Sequence, residues 1–179
     1  MIAEVKNIGS TWVKMQGFES DYTITATDGS VATTGTFSYA FPTYLAPGET
    51  GYLATDVSVE NLNAEDLESA EANSYFDEAQ EADATILTVD NIKNRLGDEY
   101  SSTITTGKVT NTSGDDVESF HVGAFYLNAD GKPIGFSYSN LGQNLAAGQT
   151  KAFETLSGGP YGPLKNVAET VVLAASSDF

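Results

Sequence analysis

Between residues 120 and 126 the side chains alternate: Phe120, Val122, Ala124 and Tyr126 fall on one side of an extended chain, His121, Gly123 and Phe125 on the other. A period of two predicts a β-strand with one face on a core. Phe18, Ser20 and Tyr22 repeat that rhythm. Residues 84–89 and 102–110, rich in Thr, Val and Ile, predict two more strands. Between such runs lie Asp28-Gly29 and Asp130-Gly131, dipeptides that reverse a chain, and second turns at Gly48 and Gly148, with Pro47 pre-setting φ before the first. Short strands at turn-limited intervals predict an all-β chain of sandwich type.

The chain is a tandem duplication. Val5-Lys6-Asn7 returns as Val109-Thr110-Asn111, each followed by a small-residue turn and then Val13 or Val117. Phe18, Ser20 and Tyr22 match Val122, Ala124 and Tyr126, and Asp28-Gly29 matches Asp130-Gly131. Phe37-Ser38-Tyr39 recurs as Phe136-Ser137-Tyr138, and Leu45-Ala46-Pro47-Gly48-Glu49-Thr50 as Leu145-Ala146-Ala147-Gly148-Gln149-Thr150. Two domains follow, 1–82 and 83–179, joined by an acidic stretch. There Asn63-Ala64-Glu65-Asp66 has the form of a helix N-cap with acidic first-turn residues. An acidic loop with one helical turn, followed by a strand, is expected. A loose match of Ala70-Glu71 to Ala168-Glu169 would make both segments closing strands.

The duplicates differ at their starts: four residues precede Val5, whereas roughly 25 precede Val109 within the second unit. Either the first unit lacks an opening strand or 84–89 belongs to it. In the first case an uncovered strand edge would be open to pairing with a neighbour.

Charge narrows the partners. With 25 acidic and 8 basic residues the formal net charge is -17, and no Lys or Arg occurs between Lys14 and Lys93. Such a surface repels phosphate backbones and anionic headgroups, so nucleic acid and anionic membranes are not expected partners. There is no cysteine, which removes disulfides, zinc–thiolate centres and thiol nucleophiles. No apolar run nears the ~20 residues that span a bilayer. Met1-Ile2-Ala3 runs directly into a strand-like segment, so an exported protein would have its leader outside this chain.

The run Thr106-Gly107-Lys108-Val109-Thr110-Asn111-Thr112-Ser113, the strand through Phe125-Tyr126, the turn Asp130-Gly131-Lys132-Pro133-Ile134-Gly135 and the segment from Leu145 to Phe153 resemble the FxLYD domain family. The second unit covers most of that pattern. The first matches through Asp28-Gly29 and Gly48-Glu49-Thr50. The family often has Tyr-Asp where this chain has Tyr126-Leu127. The resemblance implies two immunoglobulin-like β-sandwich domains and an origin in lipoproteins or surface proteins of Gram-positive bacteria, extracellular or in the cell envelope. It transfers no active site.

Chemistry-bearing residues are sparse. His121 is the one histidine, and its alternation sets it opposite the core as a solvent-facing strand residue; a nucleophilic triad would need a serine and an acid to converge on it. Among 25 acids, neighbouring pairs arise by accident and do not specify a glycosidase. The chain is therefore expected to be non-catalytic. Asn111-Thr112-Ser113 has the form of a glycosylation sequon and reads as a turn. Calcium, which takes clustered carboxylate and carbonyl oxygens, is the chemical alternative, at Glu65, Asp66 and Glu68 or at Asp115 and Asp116. Phe37 and Tyr39 recur and are expected in the core. Trp12, Phe41 and Tyr44 do not recur and are the expected interaction residues, with Phe41 and Tyr44 exposed. The reading is a non-catalytic interaction or spacer module with no required cofactor, its partner a protein or a cell-envelope component. A small-ligand or calcium-binding accessory domain is the alternative.

Overall fold

In the computed structural model, residues 1–57, 63–81, 84–96 and 103–176 are described. The junction at 82–83 and the expected strand start at Ser102 lie outside them. The chain is all-β: the described residues form sixteen strands, most of them antiparallel neighbours, with single 3-10 turns between some of them. Among the described residues no helix is long and apolar enough to cross a membrane. Two compact units, Met1–Ala82 and Asp83–Phe179, each enclose their own core.

Unit 1 contains β1 (Ile2–Lys6), β2 (Trp12–Met15), β3 (Asp21–Ala26), β4 (Val31–Thr36), β5 (Tyr39–Phe41), β6 (Tyr44–Leu45), β7 (Thr50–Ala54), β8 (Leu67–Asn73) and β9 (Phe76–Ala79). They form sheets of order β1-β7-β5, β6-β2-β9 and β4-β3-β8. Tyr22, Ile24 and Ala26 alternate inward on β3 while Asp21, Thr23 and Thr25 stay half-exposed, the period-2 pattern of a half-buried strand. Met15, Phe37, Leu45 and Leu53 complete the core with Tyr22 and Ile24.

Unit 2 contains β10 (Leu87–Arg95), β11 (Ile104–Asn111), β12 (Phe120–Leu127), β13 (Pro133–Leu141), β14 (Thr150–Glu154), β15 (Ser157–Pro160) and β16 (Glu169–Ser176). Its sheets run β10-β11-β14 and β15-β13-β12-β16. Between them lie Val109, Phe120, Val122, Ala124, Tyr126, Leu145, Phe153 and Val172, with Leu87 and Val89 packed on the edge of the cluster.

Hydrogen bonding explains the repeated motifs. Asn7 is buried; its Nδ2 donates to the Thr11 and Leu45 carbonyls, 2.8 and 3.1 Å, and its Oδ1 accepts from Gly9 N–H at 3.0 Å. Asn111 repeats this, donating to the Asp115 and Leu145 carbonyls at 2.8 and 2.9 Å and accepting from Ser113 N–H at 3.0 Å. The Val-x-Asn motif is thus a clamp that ties one strand end to the opposite turn, and Asn111, fully buried, is no glycosylation site. Gly48 and Gly148 donate to the Asn7 and Asn111 carbonyls, 2.8 and 2.9 Å, at φ 83° and 72°. That left-handed conformation favours glycine. Glu49 and Gln149 then accept from the N–H of Ala46 and Ala146.

The acidic stretch forms one 3-10 turn, Ala64–Asp66, whose Asp66 carboxylate accepts from Asn63 N–H at 2.8 Å. It leads into β8, which pairs with β3 as β16 pairs with β12, so helical turn and closing strand are both present. The strand expected at 84–89 begins at Leu87 and pairs with β11, within unit 2.

Two expectations fail, each because of a local insertion or turn. Phe18, aligned with the fully buried Val122, is 68% exposed and sits in a turn closed by Ser20 N–H to the Gln16 and Gly17 carbonyls. The expected aromatic core pair also splits. Tyr22 opposes Gly35 as Tyr126 opposes Gly135, but Thr36 is an extra residue before Phe37. A one-residue shift reverses which face a side chain takes. Phe37 therefore enters the core, edge-on to Tyr22 at 5.6 Å. Phe136 lies on the other face of its sheet, stacked on Phe125 and Tyr138 at 6.3 and 6.0 Å. The chain leaves the β4-β3-β8 sheet at Phe37-Ser38 and β5 joins β7, whereas β13 continues beside β12.

Candidate functional site

The three expected interaction residues separate. Phe41, expected to be exposed, is fully buried: it ends β5 opposite Tyr52, its ring stacked on Tyr39 at 6.1 Å. Tyr44 and Trp12 are half-buried and belong to one sheet face. Lys14 opposes Tyr44 on one side and Asp77 on the other, and Trp12, two residues before Lys14, shares its side of β2. Lys14 Nζ lies 5.8 Å from the centre of the Tyr44 ring, within cation–π range. Gln16 Nε2 donates to Asp77 at 2.5 Å. Trp12, Lys14, Tyr44 and Asp77 thus form an outward strip on the β6-β2-β9 sheet.

A second feature was hidden by the alignment. Phe18, Tyr75 and Phe76 are 68%, 51% and 41% exposed. Ser20 Oγ accepts from Tyr75 N–H at 3.0 Å, Gln16 N–H donates to the Tyr75 carbonyl at 3.0 Å, and Phe76 opposes Met15. Hydrogen-bonded backbone therefore holds the turn of Phe18 against Tyr75 at one corner of unit 1, while Phe76, opposite Met15, takes the other side of the strand. The readable signal was Gly17, which breaks the alternation where unit 2 continues its strand with His121, and the Asn73-Ser74 pair before Tyr75.

Asp66 caps its own turn, and Asp116 Oδ1 accepts from Ala147 N–H at 2.9 Å. Among the described residues no three His, Asp or Glu side chains gather so as to hold a metal ion. His121 is half-buried rather than solvent-facing, on the face of β12 away from the core. In unit 2 an open groove of about 780 Å³ is lined by Lys93, Lys108, Leu141, Phe153 and Glu154 among others, and includes none of Trp12, Phe41 or Tyr44. Ser139 Oγ, on this groove, is buried without a hydrogen-bond partner among the described residues. Glu154 is paired with Arg95 at 2.9 Å, an exposed ion pair of small energetic weight.

No known protein-family pattern matches this chain, and no curated protein matches it.

Proposed function

We propose that the chain is a non-catalytic interaction or spacer module of the bacterial exterior, made of two immunoglobulin-like sandwiches of FxLYD type. The residues that carry the resemblance support this reading by what they do: Asn111, Gly148 and Gln149 close turns, and Val109 and Tyr126 fill the core. A family built on such positions keeps its scaffold and varies its surfaces.

The observation that carries the interaction role is the corner of Phe18 and Tyr75. Exposed aromatics on hydrogen-bonded backbone are costly to leave in water and form good anchors for a partner. A protein or cell-envelope component is the expected partner. The test has two arms. On intact source cells, added protease should degrade the chain; protection until lysis would overturn the exterior location. Purified chain should bind isolated envelope fragments, and F18S/Y75S should weaken that binding about tenfold or more. Unchanged binding by the variant would overturn the role of the corner.

A further inference from the structure

The two units carry the same strand, and only one copy is covered. In unit 2, β11 lies between β14 and β10; in unit 1 its equivalent β1 has β7 on one side and, among the described residues, no strand on the other. The difference reaches the core: Val109 is fully buried beneath Leu87 and Val89 of β10, while its counterpart Val5 is half-exposed.

Backbone direction shows what the open edge offers. Thr55 N–H donates to the Met1 carbonyl and Asn7 N–H to the Glu49 carbonyl, so odd-numbered residues of β1 point their backbone groups at β7. By alternation Ile2, Glu4 and Lys6 aim theirs outward. Their equivalents on β11, Thr106, Lys108 and Thr110, face Lys93, Asp90 and Thr88 of β10. The covered edge therefore sets an acid, Asp90, opposite the base Lys108.

We infer that β1 is a homotypic docking edge, on which two copies of the chain pair antiparallel with Val5 opposite Val5 and Glu4 opposite Lys6. Charge selects both partner and register. The symmetric registers that the outward groups allow include those centred on Glu4 and on Val5. The first sets Glu4 against Glu4, like charges directly opposite, which is unfavourable. The second sets each Glu4 against a Lys6 in mutually hydrogen-bonded positions, and brings the half-exposed Val5 side chains together at a close pair. It also brings Ile8, 92% exposed immediately after the strand, toward Ile2 of the other copy. Unit 1 has only two basic residues, Lys6 and Lys14, and Lys14 is engaged with Tyr44. Lys6 alone occupies the open edge, exposed beside exposed Glu4. An edge lysine ordinarily deters strand pairing; here Glu4 opposite Lys6 favours the complementary register. The result is a continuous six-stranded sheet, β5-β7-β1 joined to its copy. This inference is independent of the compartment proposed above.

The test is sedimentation equilibrium of the full chain at about 0.15 M salt, from about 10 µM to about 1 mM, with circular dichroism confirming the fold of each variant. Wild type should form dimers and no larger species. Glu4→Lys and Lys6→Glu each create like-charge pairs and should weaken dimerisation at least tenfold. An equimolar mixture of the two restores both attractive pairs and should associate within about threefold of wild type, as should the double variant E4K/K6E. Glu4→Pro removes an outward N–H without touching the β7 ladder, and should yield monomers. A wild type that stays monomeric throughout, or a dimer indifferent to the charge reversals and to E4P, would overturn the inference. A mixture that fails to restore association would overturn the register.

Discussion

Unit 1 and unit 2 are built on one template and finished differently. Val5 and Val109 stand at the same place, each two residues before a clamping asparagine and each paired to a strand that starts with Thr50 or Thr150. Val109 is sealed by an additional strand, and among the described residues Val5 is not. The closing strands repeat the contrast: β8 is exposed along nearly its whole length, whereas the last residues of β16 are buried. Among the described residues, unit 2 covers its equivalent strand, and unit 1 keeps an open edge and an exposed aromatic corner. In a duplicated protein, surfaces that one copy hides and the other presents are where function has room to differ.

The largest expected effect tests the extra residue Thr36. Phe37 owes its place in the core to it, so Phe37→Ala should destabilise unit 1 by about 3–5 kcal/mol. Urea denaturation followed by Trp12, the only tryptophan, reports on that unit directly. A loss near zero would mean that Phe37 is not a core residue and that the units share one register.

The clamps should respond alike. Asn7→Ala strips three hydrogen bonds from a buried site and Asn111→Ala four, the extra one from the partly exposed Ser113 hydroxyl, at a cost of about 2–3 kcal/mol in the respective unit. Denaturation of both variants checks the match, and a large inequality would break the equivalence. The valines should not respond alike. Val109→Ala is expected to cost about 2 kcal/mol and Val5→Ala under about 1 kcal/mol in dilute solution, since only the first leaves a closed cavity.

The smallest effect distinguishes two equivalent turns. Ser30 donates its hydroxyl and its N–H to Asp28 Oδ1, 2.6 and 2.9 Å, and these bonds hold the Asp28 carboxyl below its ordinary value, the hydroxyl bond foremost. A depressed folded-state carboxyl stabilises above its unfolded pKa, and that stabilisation is lost as pH falls through the folded value. Ser30→Ala should raise the Asp28 pKa toward the ordinary range in an NMR titration. The matching turn of unit 2 is capped by the neutral amide of Asn128, which accepts from Asp130 and Lys132 N–H. An Asp28 titration unmoved by S30A would remove the assigned cause.

Much of this architecture was legible in the chain. Alternation on β3 and β12, the turn dipeptides and the recurrent Val-x-Asn motif gave the all-β fold, because one-face burial and tight turns leave direct traces in residue type. The assignment of β10 was not legible, since a strand between two units satisfies either one by pattern alone. Phe18 and Phe136 misled for one reason: recurrence reports ancestry, whereas facing is decided by the local residue count, and one added residue or one turn reverses it. Trp12 and Tyr44 stand out in the sequence because they do not recur, and the structure places both half-buried on one sheet face. Phe41 also does not recur, yet its strand was recruited into another sheet and buried it, a change only the pairing reveals.

The measurement that tests the contrast most directly is amide hydrogen exchange, residue by residue, in dilute solution. The outward amides of Ile2, Glu4 and Lys6 should exchange rapidly, while Thr106, Lys108 and Thr110, facing β10, should be strongly protected. Equal protection of the two sets would mean that β1 is covered as β11 is, and would contradict the open edge on which the account rests.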